Sequence, residues 1–439
     1  MGSEESSSPA PVEMRCPMAL EDVDLFGPGA PEQWYAAYDI LHAEAPVHRL
    51  PGEGLTPESD AFVLTRHEDI ARVVKDEVRY PPIASSLLQQ VMRSDRDPFE
   101  RSDINVMFAS MTTLRPNPAL WRSHRKELTD PWVGPGAGRN REMIERVAAE
   151  RAEAWLERGS VEFIGEYAQP VPHTVMANIL GWPLADLKLL KTFGDGTVVP
   201  FVYGAGHRCV LDAEGIAAQQ VVLQAFRDYT ADLIRAKRAA PADDMISFLT
   251  TVTYSPLERR LTDDEINGIV YAMVIGGLET TQYALAEQMQ LLIEHPDVWR
   301  TLKRDRSKVR AFCEEGMRLR APTQGLSTRL TSRDEVFQGV EVPAGSILHM
   351  RWAAANIDPK EWEDAQSLNL ERKAATRHLT FSAGPRVCPG AHLSRLEQNV
   401  VWQTLLDRVD EFHYATDNDF LHQPGIMLST RRLNLEFSR

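Results

Sequence analysis

The sequence is short of cysteine, of basic charge and of long apolar runs, and each shortage argues against a class of protein. Four cysteines in 439 residues, Cys16, Cys209, Cys313 and Cys388, stand far apart and form no C-x-x-C or C-x-x-C-H. A disulfide framework is therefore not the organising device, and a reducing compartment suits the chain. Lysine and arginine number 48 against 63 aspartates and glutamates, a net charge of -15, which leaves no basic surplus for nonspecific nucleic-acid binding. No uninterrupted apolar run approaches the ~20 residues that cross a bilayer, so a soluble, cytoplasmic protein without a membrane anchor is expected. The opening MGSEESSSPAP lacks the apolar centre of a secretory signal. It fits M-G-x-x-x-S formally, but two glutamates occupy the middle of that short pattern, and residues 1–15 read as a flexible tail. Internal linkers, low-complexity tracts and repeats are also missing. With 43% hydrophobic residues, residues 16–439 can bury a large core, and one large domain is expected there.

Against this background the stretch from Phe381 to Gly390 stands out: Phe-Ser-Ala-Gly-Pro-Arg-Val-Cys-Pro-Gly. Behind it Leu393, Leu396, Val400, Leu405 and Val409 recur at roughly helical spacing, so Pro389 and Gly390 fall at the first turn of a helix. Free amide N–H groups, the helix dipole and Arg386 nearby would favour a thiolate at Cys388. An inert buried cysteine is the commoner use of the residue, but it does not need a backbone path fixed by two glycines and two prolines. Cys388 and His392 form a lone C-x-x-x-H, with two ligands too few for zinc. A single thiolate on a rigid loop suits a metal whose other ligands come from a prosthetic group.

A second stretch breaks the rules of a stable helix. Thr262-Asp263-Asp264-Glu265 is a capping box, and the apolar pattern beyond it runs to about Ile293 before His295-Pro296. Such a helix spans ~45 Å at 1.5 Å per residue. In its middle stand Gly276-Gly277-Leu278-Glu279-Thr280-Thr281. Each glycine costs about 1 kcal/mol relative to alanine, and an acid inside an apolar helix is costly to bury. Close packing at the glycines with Glu279 reaching solvent would explain the residues singly. The spacing is better explained if the Thr280 hydroxyl bonds the Gly276 carbonyl, opening the helix and leaving room for a small ligand.

The remaining features are weaker. Trp121 and Arg125 lie four apart on one helix face, after the helix start at Asn117-Pro118. Glu315 and Arg318 share a face of a helix that ends near Pro322. Helical patterns cover Trp34–Ala45, Ile70–Val74, Arg139–Arg158, Pro172–Leu190 and Glu214–Arg238. Strand-like pieces at 45–48 and 61–64 predict a small sheet, and Ser327–Arg351 predicts a second one. Gly134–Gly138 reads as a turn, because it follows a helix rather than a strand.

The Phe381 stretch closely resembles the signature of the cytochrome P-450 family, F-x-x-G-x-R-x-C-x-G, at Phe381, Gly384, Arg386, Cys388 and Gly390. The resemblance extends in the same order to four further motifs, from about Trp34 to the C-terminus. It implies a mainly α fold with small β-sheets, in which a long central helix lies over haem b and a cysteine loop lies beneath it. Cys388 would be the axial metal ligand, and O2 the co-substrate. Gly276, Gly277, Glu279 and Thr280 match the family's oxygen-activation motif, so Thr280 would orient oxygen and Glu279 would relay protons. Trp121 and Arg125 would hold one haem propionate, Arg329 and Arg386 the other, with Phe381 in the same loop. Glu315 and Arg318 would join a later arginine, best matched by Arg372. Phe193–Arg208 would be a mobile lid, and with Met107, Phe108, Met111, Met273, Gly277, Thr323–Leu326 and Ile426–Leu428 it would line a mostly apolar pocket.

The activity implied is insertion of an oxygen atom into a hydrophobic small-molecule substrate by a monomeric enzyme, through hydroxylation or oxidative dealkylation. The chain has no flavin or iron–sulfur motif, so electrons are expected from an acidic ferredoxin-type protein. It would dock on a basic patch of Arg122, Arg125, Lys126, Arg372, Lys373, Arg377 and Arg395. Two other readings share Cys388. A peroxide-using or rearranging haem-thiolate enzyme would not need Glu279 and Thr280, and a haem sensor or carrier would need neither that pair nor a lid.

Overall fold

A computed structural model of the protein describes residues 16–27, 29–56, 58–82, 113–115, 117–202, 213–325, 328–423 and 425–439. The tail expected over 1–15, the pocket residues Met107, Phe108, Met111 and Leu326, and Cys209 lie outside the described residues.

Helix α1 (Trp34–Glu44) buries Trp34, Ala37, Tyr38 and Leu41, the i, i+3, i+4, i+7 face of its apolar pattern. It leads into strands β1 (Val47–Leu50) and β2 (Ala61–Leu64), followed by α2 (His67–Lys75). The two sheets expected from the sequence are largely one. β3 (Thr328–Leu330) and β4 (Ile347–Met350) join β1 and β2 in a four-stranded sheet of order β1-β2-β4-β3. Its central pairing, Ala61↔Ile347 to Leu64↔Met350, is parallel, and all four residues of β2 and all four of β4 are buried. Continuous burial of this kind is what two covered faces require.

Asn117 caps α3 (Pro118–His124) by accepting a hydrogen bond from the Leu120 N–H at 3.0 Å. The glycine-rich stretch after it forms a 3₁₀ helix, Pro135–Asn140, where a plain turn was expected. α4 (Arg141–Leu156) and α5 (Pro170–Leu180) follow. The helical pattern over Pro172–Leu190 proves to be two helices. α5 ends at Gly181, whose left-handed φ of 76° closes it, and α6 (Leu187–Val202) begins beyond Pro183. The part of the expected lid from Phe193 to Val202 is therefore helix. Gly194 and Gly196 look like helix breakers in sequence, but tertiary packing requires their size. A Cβ on Gly194 would stand 2.8 Å from the Leu278 side chain, and one on Gly196 would stand 2.6 Å from Val222 on α7 (Ala213–Ala239).

The central helix opens on the expected capping box, with Glu265 N–H donating to Thr262 Oγ1 at 3.2 Å and Thr262 N–H to Glu265 Oε2 at 2.8 Å. It is two segments rather than one, α8 (Asp263–Gly277) and α9 (Glu279–Glu294), broken at Leu278. α10 (Val309–Leu319) and α11 (Ala391–Leu406) pack nearby. The largest apolar cluster among the described residues joins α4, α5, α8, α9 and α11 through Val147, Val175, Ile269, Leu285 and Trp402. No helix of the described residues is long and apolar enough to cross a membrane.

At the C-terminal end, the antiparallel hairpin of β5 (Asp419–His422) and β6 (Thr430–Arg432) is tied to α9 by charge. His422 lies 3.4 Å from Glu32 and 3.5 Å from the fully buried Glu287, which also ion-pairs with Arg320 at 3.3 Å. Burial alone would lower the His422 pKa, but Glu287 and Glu32 outweigh it and raise it to about 9. A histidine held above its usual value stabilises the fold fully below pH ~6.5, and that contribution fades as pH rises through the folded value. Thermal unfolding should thus show about 3 kcal/mol lost between pH ~6.5 and ~9. His422→Leu should abolish that slope; an identical slope in the variant would refute the assignment.

Candidate active site

The Cys388 loop is fixed by its own backbone and by its neighbours. The Cys388 N–H donates to the Phe381 carbonyl at 2.9 Å. Ser382 and Gly384 adopt φ of 60° and 70°. At Gly384 the left-handed backbone meets a close approach, since a Cβ there would lie 2.7 Å from the Val74 carbonyl oxygen at the end of α2. From α3, Trp121 Nε1 donates to Pro385 O at 3.0 Å and an Arg125 guanidinium N–H donates to Val387 O at 2.7 Å. The pair read as a propionate clamp therefore also grips the cysteine loop. The expectation of a low thiol pKa is corrected. Burial pushes the Cys388 thiol up, and the Gly390 and Ala391 amides with Arg125 and Arg395 only partly offset it. Coordination to a metal deprotonates a thiol outright, so a ligand role does not depend on the free pKa.

Behind the loop stand two carboxylate-centred networks. Glu315 and Arg318, both fully buried, pair at 2.7 Å. Arg372 reaches the same carboxylate at 3.1 Å and donates to the carbonyls of Asp364 and Ser367. Arg372 thus completes the three-residue arrangement. Next to it, Glu314 binds Arg395 on α11 at 2.6 Å and His378 at 3.1 Å, and the Arg395 guanidinium lies 4.5 Å from the Phe381 ring centre. Because His378 Nδ1 accepts from the Thr380 N–H, its Nε2 is the protonated nitrogen that donates to Glu314.

Two buried arginines and a buried neutral histidine have polar atoms without partners among the described residues, and the one carboxylate beside them, Glu77, is shared. Arg329, on β3, is buried, and its Nε has no partner among the described residues; the same is true of Arg115 Nε and of both ring nitrogens of His124. Burial pushes Arg115 and Arg329 each down to about 10 and His124 well below its usual value. Arg386 is taken by Glu77 at 2.5 Å and lies 4.0 Å from the Trp121 ring centre, with Arg115 at 4.8 Å from the same ring. Buried cations with donors to spare call for an anion. Two propionates fit that demand. Arg115 and His124 were missed in the sequence, where nothing but the neighbouring Trp121 and Arg125 marks them.

The broken helix supplies the other side of the site. Thr280 Oγ1 donates to the Gly276 carbonyl at 2.8 Å, the bond the spacing predicts. The two glycines serve different ends: a Cβ on Gly277 would strike the Met176 methyl at 2.2 Å, whereas one on Gly276 would point into open space. Thr281 hydrogen-bonds Ser394 at 3.1 Å, which ties α9 to the helix that follows the cysteine loop. Glu279 is buried and accepts from the Tyr283 hydroxyl at 3.2 Å. Burial, followed by the charge of Asp195, raises its pKa to about 7.

Most of the expected basic patch is already engaged within the fold. Arg372 and Arg395 belong to the two networks, Arg377 pairs with Glu361 at 2.5 Å, and Arg125 serves Val387 and Asp130. Arg122, Lys126 and Lys373 remain exposed.

A helix-rich fold with a cysteine loop, buried arginines short of partners among the described residues and a helix opened at a Gly-Gly-x-Glu-Thr segment agrees with the class of haem-thiolate oxygenase that the resemblance implies. The chain belongs to the cytochrome P450 family, whose model, described as "Cytochrome P450", matches residues 217–437. It is 28% identical over 360 residues to a steroid C26-monooxygenase of Mycolicibacterium smegmatis, covering 79% of this chain and 85% of that one. It is 28% identical over 393 residues to the cyclomarin C epoxidase CymV of Salinispora arenicola, covering 89% and 93%. Among solved structures, P450BioI in complex with an acyl carrier protein ligated to hexadec-9Z-enoic acid superposes with a TM-score of 0.79 at 22% identity, covering 93% of this chain and 99% of that one. CalO2 does so with a TM-score of 0.79 at 19% identity, covering 95% and 98%. The protein is accordingly a P450 monooxygenase that uses haem, with a cysteine thiolate on the iron, and O2.

Proposed function

We propose that residues 16–439 form one haem-binding domain that inserts one oxygen atom of O2 into a hydrophobic small organic substrate. Cys388 would supply the thiolate that holds the haem iron, and electrons would come from a separate acidic ferredoxin-type donor. Arg329, Arg386, Trp121, Arg125 and Arg115 would hold the two propionates. The cofactor supplies O2 activation, which consumes two electrons and two protons. The chain's own residues manage position and protons. Thr280, held by Gly276, keeps its oxygen beside the space that Gly276 leaves open, where it orients the bound co-substrate. Glu279, with a pKa near the working pH, is matched to proton delivery. The exposed Arg122 and Lys126, on and just beyond α3, support docking of an acidic donor on the cysteine side. The names of the two relatives favour a bulky apolar substrate of steroid or natural-product type.

The observation that carries this reading is the Thr280–Gly276 hydrogen bond at the helix break. A steroid library screened by spin-state shift would supply a working substrate, with a plant-type ferredoxin and its reductase as surrogate donors. Thr280→Ala should then keep taking up oxygen and release it as hydrogen peroxide, with coupled product falling on the order of 10²-fold. Unchanged coupling in the variant would contradict the role.

A further inference from the structure

Beside the arginines assigned to the propionates stands a carboxylate that no motif marks. Glu77 follows α2, and its side chain is 6% exposed. One of its oxygens binds Arg386 at 2.5 Å, and the other is buried without a hydrogen-bond partner among the described residues. The backbone fixes the residue there from two sides. Gly384 lies against Val74 and Lys75 at the end of α2, so the cysteine loop carries Arg386 to the segment that follows. From the other side, Leu330 N–H donates to Pro81 O and Ser332 N–H to Arg79 O, each at 3.0 Å, and Pro82 pairs with Arg329. Glu77 therefore sits between the cysteine loop and β3. The other charges around it are engaged: Arg79 pairs with Glu335 at 3.3 Å and Asp76 at 3.8 Å, and Arg125 with Asp130 at 3.1 Å. With haem bound, the charges balance only if Glu77 is counted. Arg115, Arg125, Arg329 and Arg386 are positive and His124 is neutral, against Asp130, Glu77 and two propionates.

We propose that Glu77 stays on Arg386 in the haem-loaded enzyme, shares that guanidinium with a haem propionate, and holds the reduction potential of the iron down. This rests on the reading of Arg329, Arg386 and their neighbours as the propionate site. Reduction adds a negative charge to the haem, and a fixed carboxylate in a poorly solvated site opposes it. Salt screens a buried charge weakly, so the opposition persists at high ionic strength. Glu77 is a positioning residue: it acts through Arg386 and touches none of the reacting atoms.

The test uses the haem-loaded enzyme and an electrode in place of turnover. Visible spectra across a potential titration give the ferrous-to-ferric ratio, and transfer of haem to excess apomyoglobin gives its release rate. Glu77→Gln keeps the shape and removes the charge. At the wild-type midpoint potential its ferrous-to-ferric ratio should rise about three- to tenfold, at low and high salt alike. Glu77→Asp keeps the charge and should restore the wild-type ratio. Haem release from Glu77→Gln should be no faster than from the wild type, because Arg386 is then free for the propionate, whereas Arg329→Met should speed release several-fold. A ratio unmoved by Glu77→Gln, with Arg329→Met still speeding release, would overturn the tuning role and leave the propionate site standing. Faster release from both Glu77 variants would make the residue a brace for the loop and overturn the proposal as well. Unchanged release from Arg329→Met would overturn the propionate site on which the sharing rests.

Discussion

Glu315→Ala should yield a protein that fails to retain its haem and unfolds far more readily than the wild type. Glu315 is fully buried and answers two guanidiniums, Arg318 at 2.7 Å and Arg372 at 3.1 Å. Arg318 keeps its bonds to the Asn356 and Ser367 carbonyls, but without Glu315 its charge has no counter-ion. Breaking one partner out of a buried pair costs about 3–5 kcal/mol, a large share of the ~5–15 kcal/mol that holds a domain together. The damage is directed as well as large. Arg372 and the Asn369 N–H both hang on the same carboxylate, so the segment leading to the cysteine loop loses its anchor. The Gln variant keeps the shape without the charge and should fall between the two. The haem-to-protein ratio and the urea midpoint measure the effect, and a wild-type ratio with an unchanged midpoint would contradict it.

The second large effect is expected at Cys388. Serine is nearly the size of cysteine, and the loop geometry does not depend on sulfur. It comes from the Cys388 N–H to Phe381 bond, the left-handed Gly384 against Val74, and the reach of Trp121 and Arg125 to the loop carbonyls. The Cys388→Ser variant should therefore fold and hold haem through the buried arginines while losing the thiolate that pushes electron density toward bound O2. Monooxygenase turnover should be lost, while thermal stability of the apoprotein shifts little. That separation of ligand from scaffold makes the substitution informative, whereas Glu315→Ala damages both.

Much of the site can be read along the chain because its parts are local. The capping box at Thr262 lies within four residues and the Thr280–Gly276 bond within five, and the cysteine loop is contiguous; local spacing suffices for such features. What was misread depends on distant partners. The parallel pairing of Ala61–Leu64 with Ile347–Met350 joins segments far apart in sequence, so one sheet was taken for two. Gly194 and Gly196 look like loop residues until Leu278 and Val222 are seen against them. Arg372 stands more than fifty residues beyond Glu315 in the sequence, and only the fold brings its side chain to the Glu315 network. Arg115, His124 and Glu77 gave no signal, since an arginine or glutamate in a polar context looks like surface until burial or a neighbouring charge is known. Cys388 itself was overread in one respect, as burial outweighs the helix amides that were expected to make it a free thiolate.

The measurement that bears most directly on the whole account is the absorption spectrum of the reduced, carbon-monoxide-bound protein, recorded for the wild type beside Cys388→Ser. A thiolate ligand should give the long-wavelength Soret band that names the family in the wild type, and the serine variant should lose it while still binding haem. A histidine-type spectrum in the wild type, or an identical thiolate-type band in both proteins, would contradict the assignment of Cys388 and the site built around it.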